Sequence, residues 1–234
     1  MKKYLLLVAG LLLGVGIVMA QSGIRIKKKD RKRDVLLETS FGNVLIRLSD
    51  STPLHRDNFL GLVKTRYYNG VLFHRVIKRF MIQAGDPDSR GAEAGKALGE
   101  GGPAYTIPAE FRSTLFHQKG VLAAAREGDD VNPAKASSGS QFYIVQGRTF
   151  TDGGLDSLET MRLKRKLPDA HREVYKTIGG TPHLDMNYTV FGQVIEGLDV
   201  VERISLVETS KGVDRDRPLK DVVIIKASLV KRRK

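Results

Sequence analysis

The sequence predicts a mainly β domain, a closed or nearly closed antiparallel barrel of short strands with few helices. Short runs of high β propensity recur from residue 35 to residue 230, separated by turn residues. Only two segments outside residues 149–181 have helical spacing. The 234 residues, 41% hydrophobic and 28% charged, suffice for one domain with a buried core, and we expect it to span 35–230.

Each predicted strand is a short run rich in Val, Ile, Leu or aromatic residues. A Gly-Asn pair separates the first two runs and supplies the turn of a hairpin. A glycine-rich loop at 85–103 and a polar segment at 127–139 separate the central runs. The predicted strands are 35–39, 44–48, 71–77, 80–84, 120–126, 140–146, 188–195 and 222–230.

Two helices are predicted outside the insertion. The first begins at Thr52, an N-cap residue followed by proline at the first helical position, and ends at Asn69-Gly70. The second is short and lies near 199–204. Residues 149–181 interrupt the strand pattern with apolar residues at helical spacing, so we expect a helical insertion there.

The N-terminus has the features of an export signal. Two lysines open the chain, residues 4–19 are apolar and uncharged, and residues 18–20 offer a cleavage site. We therefore expect 1–20 to be a signal peptide and the mature protein to reside in the periplasm or cell envelope. The apolar run is short for a membrane span, and an uncleaved membrane anchor is the alternative.

The net charge of +13 arises largely from basic runs at 25–33, 164–166 and 231–234. We predict a flexible basic segment at 21–34 and a solvated basic tail at 231–234. Weak contact with an anionic membrane surface is an alternative. A basic nucleic-acid-binding protein on a barrel scaffold is another, and it predicts binding that weakens steeply with salt. We expect no specific nucleic-acid partner.

The residue inventory excludes several chemistries. The chain has no cysteine, which rules out disulfides and thiol catalysis. Its five histidines lack the spacing of metal ligands, and its glycines do not form a phosphate loop between a strand and a helix. We expect no metal and no cofactor.

The segment 73–86 is the most informative stretch. With the strand period of two, Phe73, Arg75 and Ile77 share one face. In the second run, Phe80 and Ile82 should lie opposite Met81 and Gln83. Such a pattern fits an apolar pocket with a polar edge, and it also fits a sheet surface with extended Arg and Gln side chains, which spacing alone favours.

Several ordered blocks decide between these interpretations. They are 73–86 (Phe-His-Arg-Val-Ile, Phe-Met-x-Gln, Gly-Asp), 106–111, 120–126, 138–144, 183–185 and 188–192. With these blocks the sequence resembles the cyclophilin family of peptidyl-prolyl cis/trans isomerases over about 35–229, outside the insertion. The resemblance implies a closed eight-stranded antiparallel barrel, capped by two helices, with the active groove on its outer face.

The resemblance also implies roles for individual residues. Arg75 is the catalytic arginine, beside His74. The proline ring is held by Phe80, Met81, Tyr143 and Leu184. Substrate backbone would bond to Gln83 and to the main chain around Ala125 and Arg126, with Gln141 flanking them and His183 and Tyr188 at the groove edge.

Three of these positions depart from the family pattern. His183 stands where many members have Trp, Tyr188 replaces a histidine, and Tyr143 replaces the more usual Phe. We expect His183 to be partly charged near neutral pH and to weaken cyclosporin binding. Arg75 and the apolar residues remain, so the isomerase activity is expected to be intact.

The expected partners are proline-containing unfolded or partly folded polypeptides, and we expect a monomer. A non-catalytic proline-peptide-binding or chaperone module is the alternative, but it would not need the guanidinium of Arg75. For the insertion, three roles stay open: a basic surface that selects acidic clients through 164–166, a solvated decoration, or a support for the pocket.

Overall fold

Antiparallel strands form most of the fold in residues 24–214 and 216–232, which the computed structural model describes. The predicted signal peptide 1–20 lies outside these ranges. The strands are Arg33–Thr39 (β1), Gly42–Leu48 (β2), Val71–Leu72 (β3), Arg75–Ile77 (β4), Met81–Ala84 (β5), Thr106–Ile107 (β6), Val121–Ala124 (β7), Ser137–Ser138 (β8), Phe142–Val145 (β9), Val190–Glu196 (β10) and Val223–Lys231 (β11).

Helices are few and short. Within the described ranges, none has the length and apolar composition needed to cross a bilayer. Short 3₁₀ turns occupy Asp30–Lys32, Pro87–Ser89 and Pro182–Leu184. The α-helices are Pro53–Lys64 (α1), Asp152–Leu158 (α2), Asp169–Thr177 (α3) and Leu198–Ser205 (α4), and a π-helical turn, Glu159–Leu163, follows α2.

Nine strands pair in one sheet, in the order β3-β11-β1-β2-β10-β7-β9-β5-β4, and β6 pairs with β8 separately. The edge strands β3 and β4 are separated by only two residues, so their ends lie within about 11 Å of each other. The sheet is therefore strongly curled. The predicted closed eight-stranded barrel is not confirmed, because no ladder joins β3 to β4 among the described strands.

The main core lies inside this curl, against α1 and α4. Alternate residues of β1 and β2 point into it because side chains on a strand alternate between faces. Phe59 of α1 packs its ring 5.3 Å from Phe142 and 5.5 Å from Phe191. The core also contains Val35, Leu37, Val44, Ile46, Leu60, Leu122, Ile144, Val201 and Ile224.

Helix α1 follows its sequence signals at one end only. It begins at Pro53 after Thr52, as predicted, although the Thr52 side chain forms no cap hydrogen bond. It ends at Lys64, so the predicted end at Asn69-Gly70 is wrong. Arg66 has a φ of +61°, a left-handed conformation that cannot continue a right-handed helix.

Residues 149–181, the predicted insertion, contain α2, the π-helical turn and α3. The two ends of the insertion are joined by hydrogen bonds in both directions between Arg148 and Gly180. A Cβ atom at Gly147 would lie 2.4 Å from the Cα of Gly180, so this close approach requires glycine.

Candidate active site: a groove with a polar and an apolar side

The predicted site residues gather on the face of the sheet opposite the main core. Neighbouring strands place Arg75 opposite Gln83, Gln83 opposite Tyr143, and Tyr143 opposite Ala123. Residues paired in this way share one face, so they form a row across β4, β5, β9 and β7. The alternate residues Val76 and Ile82 enter the core instead.

Phe73 and Phe80 are exceptions to the strand alternation. Phe73 was predicted to share a face with Arg75, but it precedes β4 and lies in the main core. Phe80 was predicted to face away from Met81, but it packs against the same apolar cluster as Met81. It precedes β5, directly after Arg79, whose φ is +64°. The turn redirects the chain before the strand begins, so the period of two does not apply to Phe80.

A hydrogen-bonded series of side chains forms the polar side of the groove. The Gln141 amide nitrogen donates to the main-chain oxygens of Gly99 and Gly101, each at 2.8 Å. Because those carbonyls only accept, Gln141 Oε1 must face Gln83, whose Nε2 donates to it at 3.0 Å. Gln83 Oε1 then accepts from Arg75 Nη1 at 3.4 Å.

This arrangement leaves donors available to a ligand. Arg75 is half-buried and forms no ion pair within the described residues. Its guanidinium has five N–H donors, of which the bond to Gln83 uses one. A cavity of about 490 Å³ adjoins Arg75 and Gln83 and is also lined by His74 and Leu98.

The apolar side is a separate cluster, which we call the pocket cluster. Three of the four residues predicted to hold a proline ring belong to it, and the fourth, Phe80, packs against it together with Tyr188. Phe80 stacks on His183 with ring centres 5.6 Å apart and an interplanar angle of 19°. The cluster consists of Met81, Val121, Ala123, Ala125, Tyr143, Val145, Leu184 and Val190, with Phe80, Ile77, Leu115 and Tyr188 partly buried against it.

The main chain near Ala125 is bonded within the protein. Its N–H donates to the Gln141 carbonyl at 3.0 Å, and its C=O accepts from Ser138 N–H at 2.8 Å. The guanidinium carbon of Arg126 lies 4.5 Å from the centre of the Tyr188 ring. Arg126 therefore fixes Tyr188 at the groove edge by a cation–π contact.

Comparison with known proteins shows to which protein family this chain belongs. A family model described as cyclophilin type peptidyl-prolyl cis-trans isomerase/CLD matches residues 34–229. The chain belongs to this family. The predictions of a cyclophilin and of an isomerase enzyme are confirmed, because curated relatives carry the same name.

Among those relatives is a protein of Staphylococcus saprophyticus named as a peptidyl-prolyl cis-trans isomerase. It is 36% identical over 197 residues, covering 84% of this chain and 91% of the relative. A bifunctional phosphatase/peptidyl-prolyl cis-trans isomerase of Streptococcus pyogenes is 35% identical over 205 residues. That match covers 81% of this chain, which spans only 37% of the relative's length.

Solved cyclophilins share the fold. A Cryptosporidium parvum cyclophilin type peptidyl-prolyl cis-trans isomerase matches with a TM-score of 0.61 at 22% identity, covering 86% of this chain and 99% of that one. A second structure of that protein, determined in the presence of the dipeptide Ala-Pro, matches with a TM-score of 0.60.

Two histidines of this cyclophilin groove are neutral at pH 7. Burial, assisted by the nearby positive charge of Arg162, lowers the pKa of His183 to about 4. The prediction that His183 is partly charged near neutral pH is therefore wrong, since desolvation in the stack with Phe80 disfavours the cation. Burial also lowers the pKa of His74 to about 4.

A buried hydrogen-bond network behind the pocket was missed by sequence reasoning. Tyr143 Oη lies 3.0 Å from His117 Nε2, and His117 Nδ1 lies 3.0 Å from Asp185 Oδ1. His117 and Asp185 are 68 positions apart, and no spacing rule of a strand or helix connects them.

Proposed function

We propose that this cyclophilin accelerates cis/trans rotation of X-Pro bonds, with Arg75 stabilising the twisted amide and the pocket cluster holding the proline ring. The observation that carries the proposal is the row of Arg75, Gln83 and Tyr143 on one face of the sheet. It sets a permanent cation with unused donors beside an apolar surface. The Ala-Pro dipeptide used with the Cryptosporidium relative supports proline peptides as ligands.

The chemistry requires these two parts together. Rotation is slow because resonance gives the C–N bond partial double-bond character, with a barrier of about 18–20 kcal/mol. In the twisted transition state the proline nitrogen regains a lone pair. A guanidinium N–H donates to that lone pair and has no equivalent acceptor in the planar ground state, so it lowers the barrier. Gln83 Nε2 keeps one N–H for a substrate carbonyl.

The test is isomerisation of an X-Pro tetrapeptide by the wild type and by Arg75→Ala and Arg75→Lys. We expect both variants to lose about 100- to 1,000-fold in kcat/KM, because lysine lacks the planar fork of donors. Lys78→Ala, at an exposed position of the same hairpin, is the matched control and should keep wild-type activity.

An inactive wild type that still binds the peptide would favour the non-catalytic proline-binding module instead. Arg75→Ala with nearly wild-type turnover would remove Arg75 from the mechanism and leave the pocket alone to explain the activity.

We further propose that the protein assists the folding of exported polypeptides in the periplasm or cell envelope. The lysines and apolar run of residues 1–20 support this location. N-terminal sequencing of protein from the envelope fraction should give a chain that begins near Gln21. An intact Met1 in the membrane pellet would favour the uncleaved anchor.

A further inference from the structure

The insertion, residues 149–181, contains a small core of its own. Leu155 of α2, Leu167 and Tyr175 of α3 are buried together, and Phe116 and Phe150 pack against them. Phe116 also stacks on His171 with ring centres 3.8 Å apart. Because Phe116 precedes the pocket-facing strand β7 and lies outside the insertion, this core joins the insertion to the body of the protein.

Ion pairs keep α2 and α3 together. Arg172 bonds to Asp152 at 3.2 Å, to Asp156 at 3.0 Å and to Glu159 at 2.9 Å. Lys166 bonds to Glu159 at 2.8 Å, and Arg165 donates to the main-chain oxygen of Asp185 at 3.1 Å. Two of the three basic residues at 164–166 are therefore bonded within the protein, although all three stay exposed.

A hydroxyl from the insertion reaches the buried network behind the pocket. Tyr175 Oη donates to Asp185 Oδ2 at 2.7 Å. Asp185 Oδ1 accepts from the His117 main-chain N–H at 2.8 Å and faces His117 Nδ1 at 3.0 Å. Tyr175 and His117 are 0% exposed and Asp185 is 4% exposed, so water does not replace these bonds.

The direction of the hydrogen bonds is set by the carboxylate, which accepts only. His117 Nδ1, which faces this carboxylate, therefore carries a proton and donates to it, and His117 Nε2 is paired with the Tyr143 hydroxyl, which can donate or accept. Burial raises the pKa of Tyr143 and the pKa of Tyr175 above the usual value of tyrosine, so both hydroxyls keep their protons. The series Tyr175–Asp185–His117–Tyr143, which we call the pocket network, is thus fully bonded.

Tyr143 is the point at which the pocket network meets the groove. Its ring belongs to the pocket cluster, stacks on His117 with ring centres 6.1 Å apart, and meets the Tyr188 ring edge-on at 6.0 Å. Its hydroxyl is held from behind, so the ring cannot tilt without breaking a buried hydrogen bond.

We propose that the insertion supports the proline pocket, and that Tyr175 is a positioning residue that orients Tyr143 through Asp185 and His117. Loss of the Tyr175 hydroxyl leaves a buried carboxylate oxygen without its donor. Asp185 and His117 then shift toward other partners, and the Tyr143 ring loses its fixed orientation. This role rests on the proposed isomerase function.

The test is a double-mutant cycle with Tyr175→Phe and Tyr143→Phe, each of which removes one hydroxyl and keeps its ring. Tyr175→Phe should lower kcat/KM for an X-Pro tetrapeptide about fivefold in the wild-type background and less than twofold in the Tyr143→Phe background. Tyr105→Phe is the control, since it removes a hydroxyl bonded to Asn58 at 2.7 Å, outside the pocket network. It should keep wild-type activity.

Two results would overturn the positioning role: wild-type activity of folded Tyr175→Phe, or an equal loss in both backgrounds, as a purely structural role predicts. The same cycle is measured on the dissociation constant of an Ala-Pro peptide. A wild type that binds the peptide without catalysis would overturn the proposed function, and the binding cycle would still decide the role of Tyr175.

Discussion

The two sides of the groove are held in place differently. On the polar side, Arg75 and Gln83 are direct cross-strand neighbours, and Gln141 connects them to the carbonyls of the 99–101 loop. On the apolar side, the Tyr143 hydroxyl is held by a series of buried hydrogen bonds through His117 and Asp185 to Tyr175. Tyr175 lies in the insertion. A short motif therefore specifies the donors, whereas the pocket wall depends on contacts between distant parts of the chain.

The largest effect is expected from a charge on the apolar side. Leu184→Asp places a carboxylate at a side chain that is 9% exposed, where a proline ring would bury it further. We expect a loss of at least about 100-fold in kcat/KM, measured with an X-Pro tetrapeptide. Leu219→Asp, at a residue that is 61% exposed, is the control and should be neutral.

A smaller loss is expected on the polar side. Gln141→Leu removes both bonds to the glycine carbonyls and the acceptor of Gln83. Gln83 then loses its fixed amide orientation, and we expect about a tenfold drop in kcat/KM. Gln193→Leu, at an exposed position of β10, serves as the control. Equal activity of both variants would mean that Gln83 needs no orientation by Gln141.

A weaker effect should appear in cyclosporin inhibition. His183 stacks on Phe80 as a neutral ring, but it offers less apolar area than tryptophan. His183→Trp should bind cyclosporin about fivefold more tightly than the wild type, measured as the inhibition constant. A wild type that cyclosporin inhibits as tightly as it inhibits His183→Trp would contradict this account.

Substitution of His74 by leucine is expected to have the smallest effect on activity. It should instead change how the stability of the protein depends on pH. Burial is the main cause of the lowered pKa of His74, with Asp86 raising it and Arg75 and Arg217 lowering it. Between pH about 4 and 6.5 the unfolded chain binds a proton that the folded chain does not, so the free energy of unfolding falls as the pH falls. His183 contributes with the same sign.

His74→Leu should reduce that slope by at most about 1.4 kcal/mol per pH unit, the value for one proton, in urea unfolding at pH 4.5 to 6.5. The lowered pKa of Glu159 contributes with the same sign at the lower end of this window, because its usual value is 4.5, but it contributes equally in the wild type and in the variant. An unchanged slope would mean that His74 is protonated in the folded protein.

The features that could be predicted from the sequence are those fixed by a short motif, and the features that were missed depend on the folded chain. Arg75, Met81 and Gln83 share the groove face because strand alternation within 73–86 is a local rule. The end of α1 was missed because the left-handed conformation of Arg66 has no signal in its residue type. The pKa of His183 was missed because its burial depends on Phe80, about a hundred residues away along the chain.

The pocket network shows most clearly which part of the site could not be predicted from the sequence. Its members lie in separate parts of the sequence, and no spacing rule of a strand or helix joins them. Only the folded chain brings His117 between Asp185 and Tyr143. The insertion could be delimited from its break in the strand pattern, but its contact with the pocket could not.

The central claim is that Arg75 acts on the rotating bond while the pocket cluster holds the ring. Exchange NMR on an X-Pro peptide at equilibrium measures turnover and binding together. The rate of cis/trans exchange reports turnover, and changes in chemical shift report binding. Arg75→Ala should slow the catalysed exchange about 100- to 1,000-fold and bind the peptide with a dissociation constant within about threefold of the wild type. Catalysed exchange at nearly the wild-type rate in Arg75→Ala would contradict the claim.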